Sequence, residues 1–219
     1  MNLRSLTGPV TFDLRRIGCI CGIAATAGFL ALYITAMIVN PNHRFGQDFL
    51  SDLGVDEKGG VRQNPWPFNL GCILAGTLAV PFAWLALRPA LPPRRTSTAG
   101  VVVFSLASVF LILVGIFNEN FKGIHGLVAA VFFLGMVIAS LLFLKPTLEV
   151  PTLGKPIATI SMVYVVLAVG FVATGSGLVE AAAVLTIVVW GFIVAVRLLL
   201  APVTQPSVGA DAQSSPASQ

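Results

Sequence analysis

Six apolar stretches, at roughly 17–39, 68–88, 99–117, 124–145, 156–175 and 177–200, restrict what this chain can fold into more than any other feature. Each has about the 20 helical residues needed to cross a ~30 Å hydrocarbon core. Lipid offers no partner to a peptide group, so each segment must satisfy its own backbone as a helix. The strict two-residue alternation of a transmembrane β-barrel is absent. Hydrophobic residues make up 56% of the 219 positions and charged residues 10%, against about 25% charged in an ordinary soluble domain. The expected fold is all-α, an integral membrane bundle of six transmembrane helices.

Charge predicts the orientation. With the N-terminus inside, Arg4, Arg15, Arg16, Arg88, Arg94, Arg95, Lys145, Lys155 and Arg197 lie on the cytoplasmic side. Arg44, Lys58, Arg62 and Lys122 lie outside, so the arrangement obeys the positive-inside rule. With the acids included, the inside carries +6 and the outside −2, giving the formal net charge of +4. The basic balance therefore reflects topology and gives no support to nucleic-acid binding.

The sequence divides into a cytoplasmic segment 1–16, a transmembrane domain 17–200 and a disordered, Ser- and Pro-rich cytoplasmic tail 201–219. The first apolar segment is long for a signal peptide and has no small-residue cleavage site after it, so it is expected to be retained. Cys19 and Cys21 fall at the opposite end of the bundle from Cys72, too far apart for a bridge. The longest connection, 40–67, is an outer loop long enough to fold over the bundle mouth, as functional loops often do. Residues 118–123 form a tight outer turn, and an inner loop at 146–155 is bracketed by Pro146 and Pro156. Pro81 is expected to kink the second helix. Gly22, Ala25, Gly71 and Gly76 are read as packing positions that let helices approach closely.

Both histidines and six of the nine acids gather on the outer side. Helices two, four and six begin there, and their free N–H groups favour an anionic group such as a lipid phosphate. Glu119 and His125 flank one turn, where a carboxylate can orient an imidazole for proton transfer; a capping or water-bound histidine is the plainer alternative. Glu180, about one turn into the sixth segment, is the only carboxylate within an apolar stretch. Such residues usually face a bundle interior or polar cavity, although interaction with its own helix N-terminus also accounts for it. Phe49 to Gly54 interrupts a polar loop with an apolar patch, placing Ser51 and Asp52 over the bundle, with Asp52 also suited to cap a local turn. Ser51, His125 and Asp52 or Glu119 include the residue types of a hydrolytic triad, without a nucleophile-elbow motif. His43, His125, Asp52, Glu119 and Glu180 are the available metal donors, but no HExxH or paired-Cys pattern occurs, so no metal and no cofactor are expected. Asp48, Asp56, Glu57 and His43 are expected in a solvated loop.

The strings Leu50-Ser51-Asp52-Leu53-Gly54, Asn64 with Phe68-Asn69, Gly115-Ile116-Phe117-Asn118-Glu119 and His125-Gly126 resemble the six-helix membrane family of unknown function 998 (DUF998), over about residues 15–200. Members commonly carry proline where this chain has Asn118. The arrangement is more distantly similar to DRAM and Sfk-like membrane proteins, which implies a link to lipid organisation only by analogy of fold. Three functional readings follow. The first is a polar outer-leaflet site binding a membrane lipid or small amphiphile through Asp52, Ser51, Asn69, Glu119, His125 and Glu180. The second is an enzyme acting on such a lipid, with His125 as acid/base and Glu119 as its partner. The third is a transporter coupled through Glu180, disfavoured because polar residues are scarce at the midplane, where transporter sites lie.

Overall fold

The computed structural model describes residues 13–201. The expected tail from 202 onward, and the N-terminal segment up to residue 12 with Arg4, lie outside the described residues. Six helices are long and apolar enough to cross a membrane: α1 (Leu14–Val39), α2 (Trp66–Ala90), α3 (Arg95–Ile116), α4 (Lys122–Leu148), α5 (Gly154–Thr174) and α6 (Gly177–Leu200). The helix ends follow local chemistry. The Asp13 side chain accepts the Arg15 N–H at 3.1 Å and starts α1. Gly175, at φ 59°, adopts the left-handed conformation that ends α5.

Prolines account for most departures from the expected boundaries. Helix α2 begins at Trp66 rather than 68, because Pro67 lies in the first turn, where its missing N–H has no intrahelical partner to lose. Pro81 cannot donate to the carbonyl one turn back, and the helix widens directly after it into a π-helical turn, Phe82–Leu87. Pro146 does not end α4 as expected. The helix continues to Leu148, with Pro146 and Thr147 buried in its last turn. Helix α5 begins at Gly154 rather than 156, with Pro156 inside its first turn.

Consecutive helices pack side by side and α6 closes against α1, forming a ring. Helices α2 and α3 touch most closely through two reciprocal glycines. A Cβ on Gly76 would come within 2.5 Å of the Ser108 carbonyl oxygen, and one on Gly115 within 2.5 Å of the Asn69 carbonyl oxygen. At one end the ring narrows, where the π turn of α2 meets both α1 and α6. Phe82, Phe104, Phe143 and Trp190 fill that end, with ring centroids 6.0–6.5 Å apart. Tyr164 is fully buried beside them in the same core.

The opposite end stays open inside and is roofed by the connection between α1 and α2. That connection contains a 3-10 turn, Leu50–Gly54, and a two-stranded hairpin, β1 (Glu57–Lys58) with β2 (Val61–Arg62). Leu50 and Leu53 point into the bundle and are buried against Phe68 and Ala181, which explains the apolar interruption of this polar loop. Asn40 ties the two ends of the connection together: its amide donates to the Asn64 carbonyl at 3.0 Å, and its side-chain oxygen accepts the Asn64 N–H at 2.7 Å.

Candidate functional site

Beneath the roof the ring encloses a cavity of about 810 Å³. It runs from a polar mouth at Ser51, Glu119, His125 and Glu180 down to Phe82, Phe104 and Trp190. The walls between are apolar, with Phe29, Phe68, Ala75, Val114, Ala129 and Val184 among them. Thr26 and Ser108 also line the wall, but each hydroxyl donates to a carbonyl of its own helix, at 2.9 Å and 2.8 Å. Ten residues of α6 separate Glu180 from Trp190, a rise of ~15 Å. That is about half of a ~30 Å hydrocarbon core.

Glu180 stands in the first turn of α6, 6% exposed, and its Oε2 accepts the Leu50 backbone N–H at 2.8 Å. One buried carboxylate therefore latches the roof to the ring. The Leu50 N–H opens a 3-10 turn and has no partner within that turn, so Glu180 satisfies an otherwise orphaned donor. Its other oxygen, Oε1, receives no hydrogen bond from the described residues. The roof also sits directly on the start of α6, where a Cβ on Gly177 would collide with the Asp48 carbonyl.

His125 is buried one turn into α4 and both its ring nitrogens are engaged. Nδ1 lies 2.8 Å from the Phe117 carbonyl oxygen, and Nε2 lies 2.9 Å from Glu119 Oε2. A carbonyl only accepts, so Nδ1 must carry a proton. A neutral ring would then present a lone pair from Nε2 to the carboxylate. Nε2 and Oε2 are close enough to share a hydrogen bond whenever a proton lies between them. Asn118 shapes the turn that brings Glu119 there: its side chain accepts the Asn120 N–H at 3.2 Å and caps the turn Glu119–Phe121.

Asp52 and Asn69 lie outside the cavity lining and hold the roof instead. Asp52 Oδ2 accepts the Phe49 N–H at 3.2 Å and the Lys58 ammonium at 2.8 Å. Asn69 donates to the Gly54 carbonyl at 3.3 Å, and a Cβ on Gly54 would meet Asn69 Oδ1. Asp56 and Asn120 join the roof to the α3–α4 turn through hydrogen bonds of 2.9 Å and 3.3 Å.

Asp48 and His43 are not the freely solvated residues expected. The Asp48 side chain is only 10% exposed and pairs with Lys58 at 3.0 Å and Arg44 at 3.6 Å. The Arg44 backbone N–H, 2.7 Å from its Oδ2, and then the Lys58 ammonium hold its carboxyl below the usual range despite desolvation. Burial would lower the Lys58 ammonium, but its bonds to Asp52 and Asp48 outweigh that and hold it above its ordinary value. The connection folds back around Lys58, which places this cluster away from bulk water. Burial, reinforced by Lys58, pushes the His43 imidazole down.

Sequence reasoning missed Lys58 as the hub of the roof, and it missed the aromatic residues Phe49, Phe133 and Phe171. Phe171 stacks edge-on against Phe49 and tilts against Phe133, with centroids 6.1 Å and 5.4 Å apart. No local signal separates these from packing phenylalanines, because their meeting depends on how α4, α5 and the roof converge. The three cysteines are free. No group of three His, Cys, Asp or Glu side chains at metal-binding distance occurs among the described residues.

A sequence model described as "Protein of unknown function (DUF998)" matches residues 23–197, which takes in most of α1 and α6, the four helices between them and nearly all of the cavity lining. No curated protein and no solved structure matches the chain.

Proposed function

The chain belongs to the DUF998 family, whose description assigns no activity, and from the cavity we propose that it binds a membrane lipid or small amphiphile. The observation that carries this reading is the space of about 810 Å³ within the ring, with apolar walls and its carboxylates and histidine at the mouth. Sites for small molecules are typically ~300–1,000 Å³, mostly apolar, with a few convergent polar groups. Empty apolar space of this size also lacks the packing contacts that stabilise a bundle, so an occupant contributes stability as well as function. Glu180, Glu119, His125 and Ser51 form the polar end, and Asp52 and Asn69 position the roof above it.

In this reading the protein lies in the cell membrane with both termini cytoplasmic and the roof outside, as the basic residues of the opposite end support. The test is native mass spectrometry of protein extracted in mild detergent. Wild type is expected to retain a co-purifying lipid, and Ala75→Phe with Ala129→Phe, which fill the cavity, are expected to release it. Equal lipid retention in the filled variant, with thermal stability intact, would show that the occupant lies elsewhere.

The 2.9 Å contact between His125 Nε2 and Glu119 Oε2 favours a second reading, an enzyme that modifies the bound lipid with His125 as acid/base. Both nitrogens are engaged, so catalysis would require Glu119 to yield its contact to substrate. Product formation lost in His125→Ala and Glu119→Gln, with lipid binding kept, selects this alternative. A carboxylate-coupled transporter is the weaker third reading, because Glu180 stands at one end of the membrane span and not at its middle.

A further inference from the structure

We infer that the occupant is a single-chain amphiphile of the leaflet next to the roof, that its head group donates hydrogen bonds (an amine or hydroxyl), and that it enters sideways between α4 and α5. This rests on the binding reading above and adds the ligand class and the route.

The head-group chemistry follows from which groups remain free at the mouth. No lysine or arginine lines the cavity. Lys58 is held by Asp48 and Asp52, and Arg44 by Asp48. The hydroxyl donors of Thr26 and Ser108 are spent within their helices, His125 Nε2 faces Glu119 Oε2 at 2.9 Å, and Ser51 adds one hydroxyl at the mouth. What remains is mostly acceptor capacity: the second oxygen of Glu180, a residue 6% exposed, and that of Glu119. A phosphate or sulfate would meet carboxylates and few donors, which is repulsive in a site sheltered from water. An amine or hydroxyl satisfies the same oxygens. This reverses the expectation that helix N-termini at this end attract an anionic head group.

The route follows from residues that line the cavity and also face outward. On α4 these are Gly126, Ala130 and Leu134, and on α5 Val169, Val172 and Ala173. Leu134 is 60% exposed, Val169 59% and Val172 81%. A wall residue exposed on the lipid side marks a gap in the wall. Gly126, Ala130 and Ala173 leave it room, and a Cβ on Gly126 would meet nothing within 4 Å. Deeper in the bundle the seam is shut, where Tyr164 on α5 donates to the Phe133 carbonyl at 3.3 Å. Phe133 and Phe171 meet across the seam and Phe49 reaches Phe171 from the roof, so rotation of their rings widens or narrows the opening. The gap from Gly126 to Leu134 spans ~12 Å of helix rise, and the cavity spans ~15 Å. Both match one leaflet.

Brominated dodecyl amine, alcohol and sulfate, at trace mole fraction in liposomes carrying the protein, provide the test. Bromine at the chain end quenches Trp190 at the cavity floor, read in a Trp66→Phe, Trp84→Phe background. The amine and alcohol are expected to quench and the sulfate not. Glu180→Gln keeps an acceptor for Leu50 and is expected to weaken the amine about tenfold while sparing the alcohol, because it removes only the charge-assisted part. Ala130→Phe with Val172→Phe is expected to slow quenching about tenfold without changing its endpoint, as narrowing a gate alters rates and not equilibrium. Sulfate quenching equal to that of the amine overturns the head-group assignment. Unchanged rates in the Ala130/Val172 variant overturn the route. Failure of all three probes in wild type, where the cavity-filled variant also retains its native lipid, overturns the binding reading itself.

Discussion

Glu180 illustrates how one side chain serves two ends. Buried carboxylates in a membrane are costly unless hydrogen-bonded, and the Leu50 N–H supplies one bond while the cavity leaves the other oxygen free. Glu180→Ala is expected to leave that N–H unsatisfied and to cost ~1–3 kcal/mol, read as a lower thermal midpoint in detergent, with Glu180→Gln close to wild type. The roof residues carry a pH dependence of defined sign. His43 is half-buried with its ordinary value of 6.5 pushed down, so the stability tied to its neutral form is present above 6.5 and lost as pH falls below it. Asp48, held below the usual carboxylate range, contributes stability that is lost only at still lower pH, as the carboxyl takes a proton. Amide protection across residues 43–58, taken relative to intrinsic exchange at each pH, is therefore expected to fall in two stages on acidification, the first disappearing in His43→Phe. Protection unchanged from pH 7 to 4 would contradict this.

At the scale of elements, the α2–α3 contact depends on the absence of side chains at Gly76 and Gly115. Membrane helices gain little from hydrophobic burial against one another, so close backbone approach matters more than in water. Gly115→Val is expected to push α3 off Asn69, at a cost of ~1–3 kcal/mol for overpacking, and to loosen the roof through the Asn69–Gly54 bond. Thermal unfolding together with proteolysis of the 40–65 connection would detect both effects. A variant as stable and as protease-resistant as wild type would show that the two helices can separate freely. The π turn after Pro81 acts in the other direction: it brings Phe82 beneath the cavity and helps close that end.

The whole molecule is a ring of helices closed below by aromatic rings and above by a strap of chain. Opening such a container at the strap would expose apolar walls to water, whereas opening it at the α4–α5 seam exposes them to lipid, at far smaller cost. With basic residues concentrated at the plugged end, the roof is expected on the outside of the cell membrane. A cysteine replacing the exposed Phe45 in a chain lacking its native cysteines should react with a membrane-impermeant maleimide in intact cells, and one replacing Arg94 should react only after lysis. The reverse pattern would invert the assigned orientation.

Six spans, their approximate limits and the crowding of polar residues at one end were legible in the chain because they depend on local quantities. Segment length, hydropathy and proline position act within one helix. Glu180 and the Glu119–His125 pair also stood out, since a carboxylate inside an apolar run and a histidine one turn from an acid are local anomalies. The division of labour among those residues was not legible. Asp52 and Ser51 are adjacent in sequence, yet Ser51 faces the cavity and Asp52 turns to Lys58. Asp48 reads as a loop residue and is instead nearly enclosed. The cavity depends on the closure of α6 against α1 and on the spacing of α4 from α5, contacts between segments whose residues are far apart in the chain. Local chemistry sets what each helix is; the volume left between helices is a property of all six together.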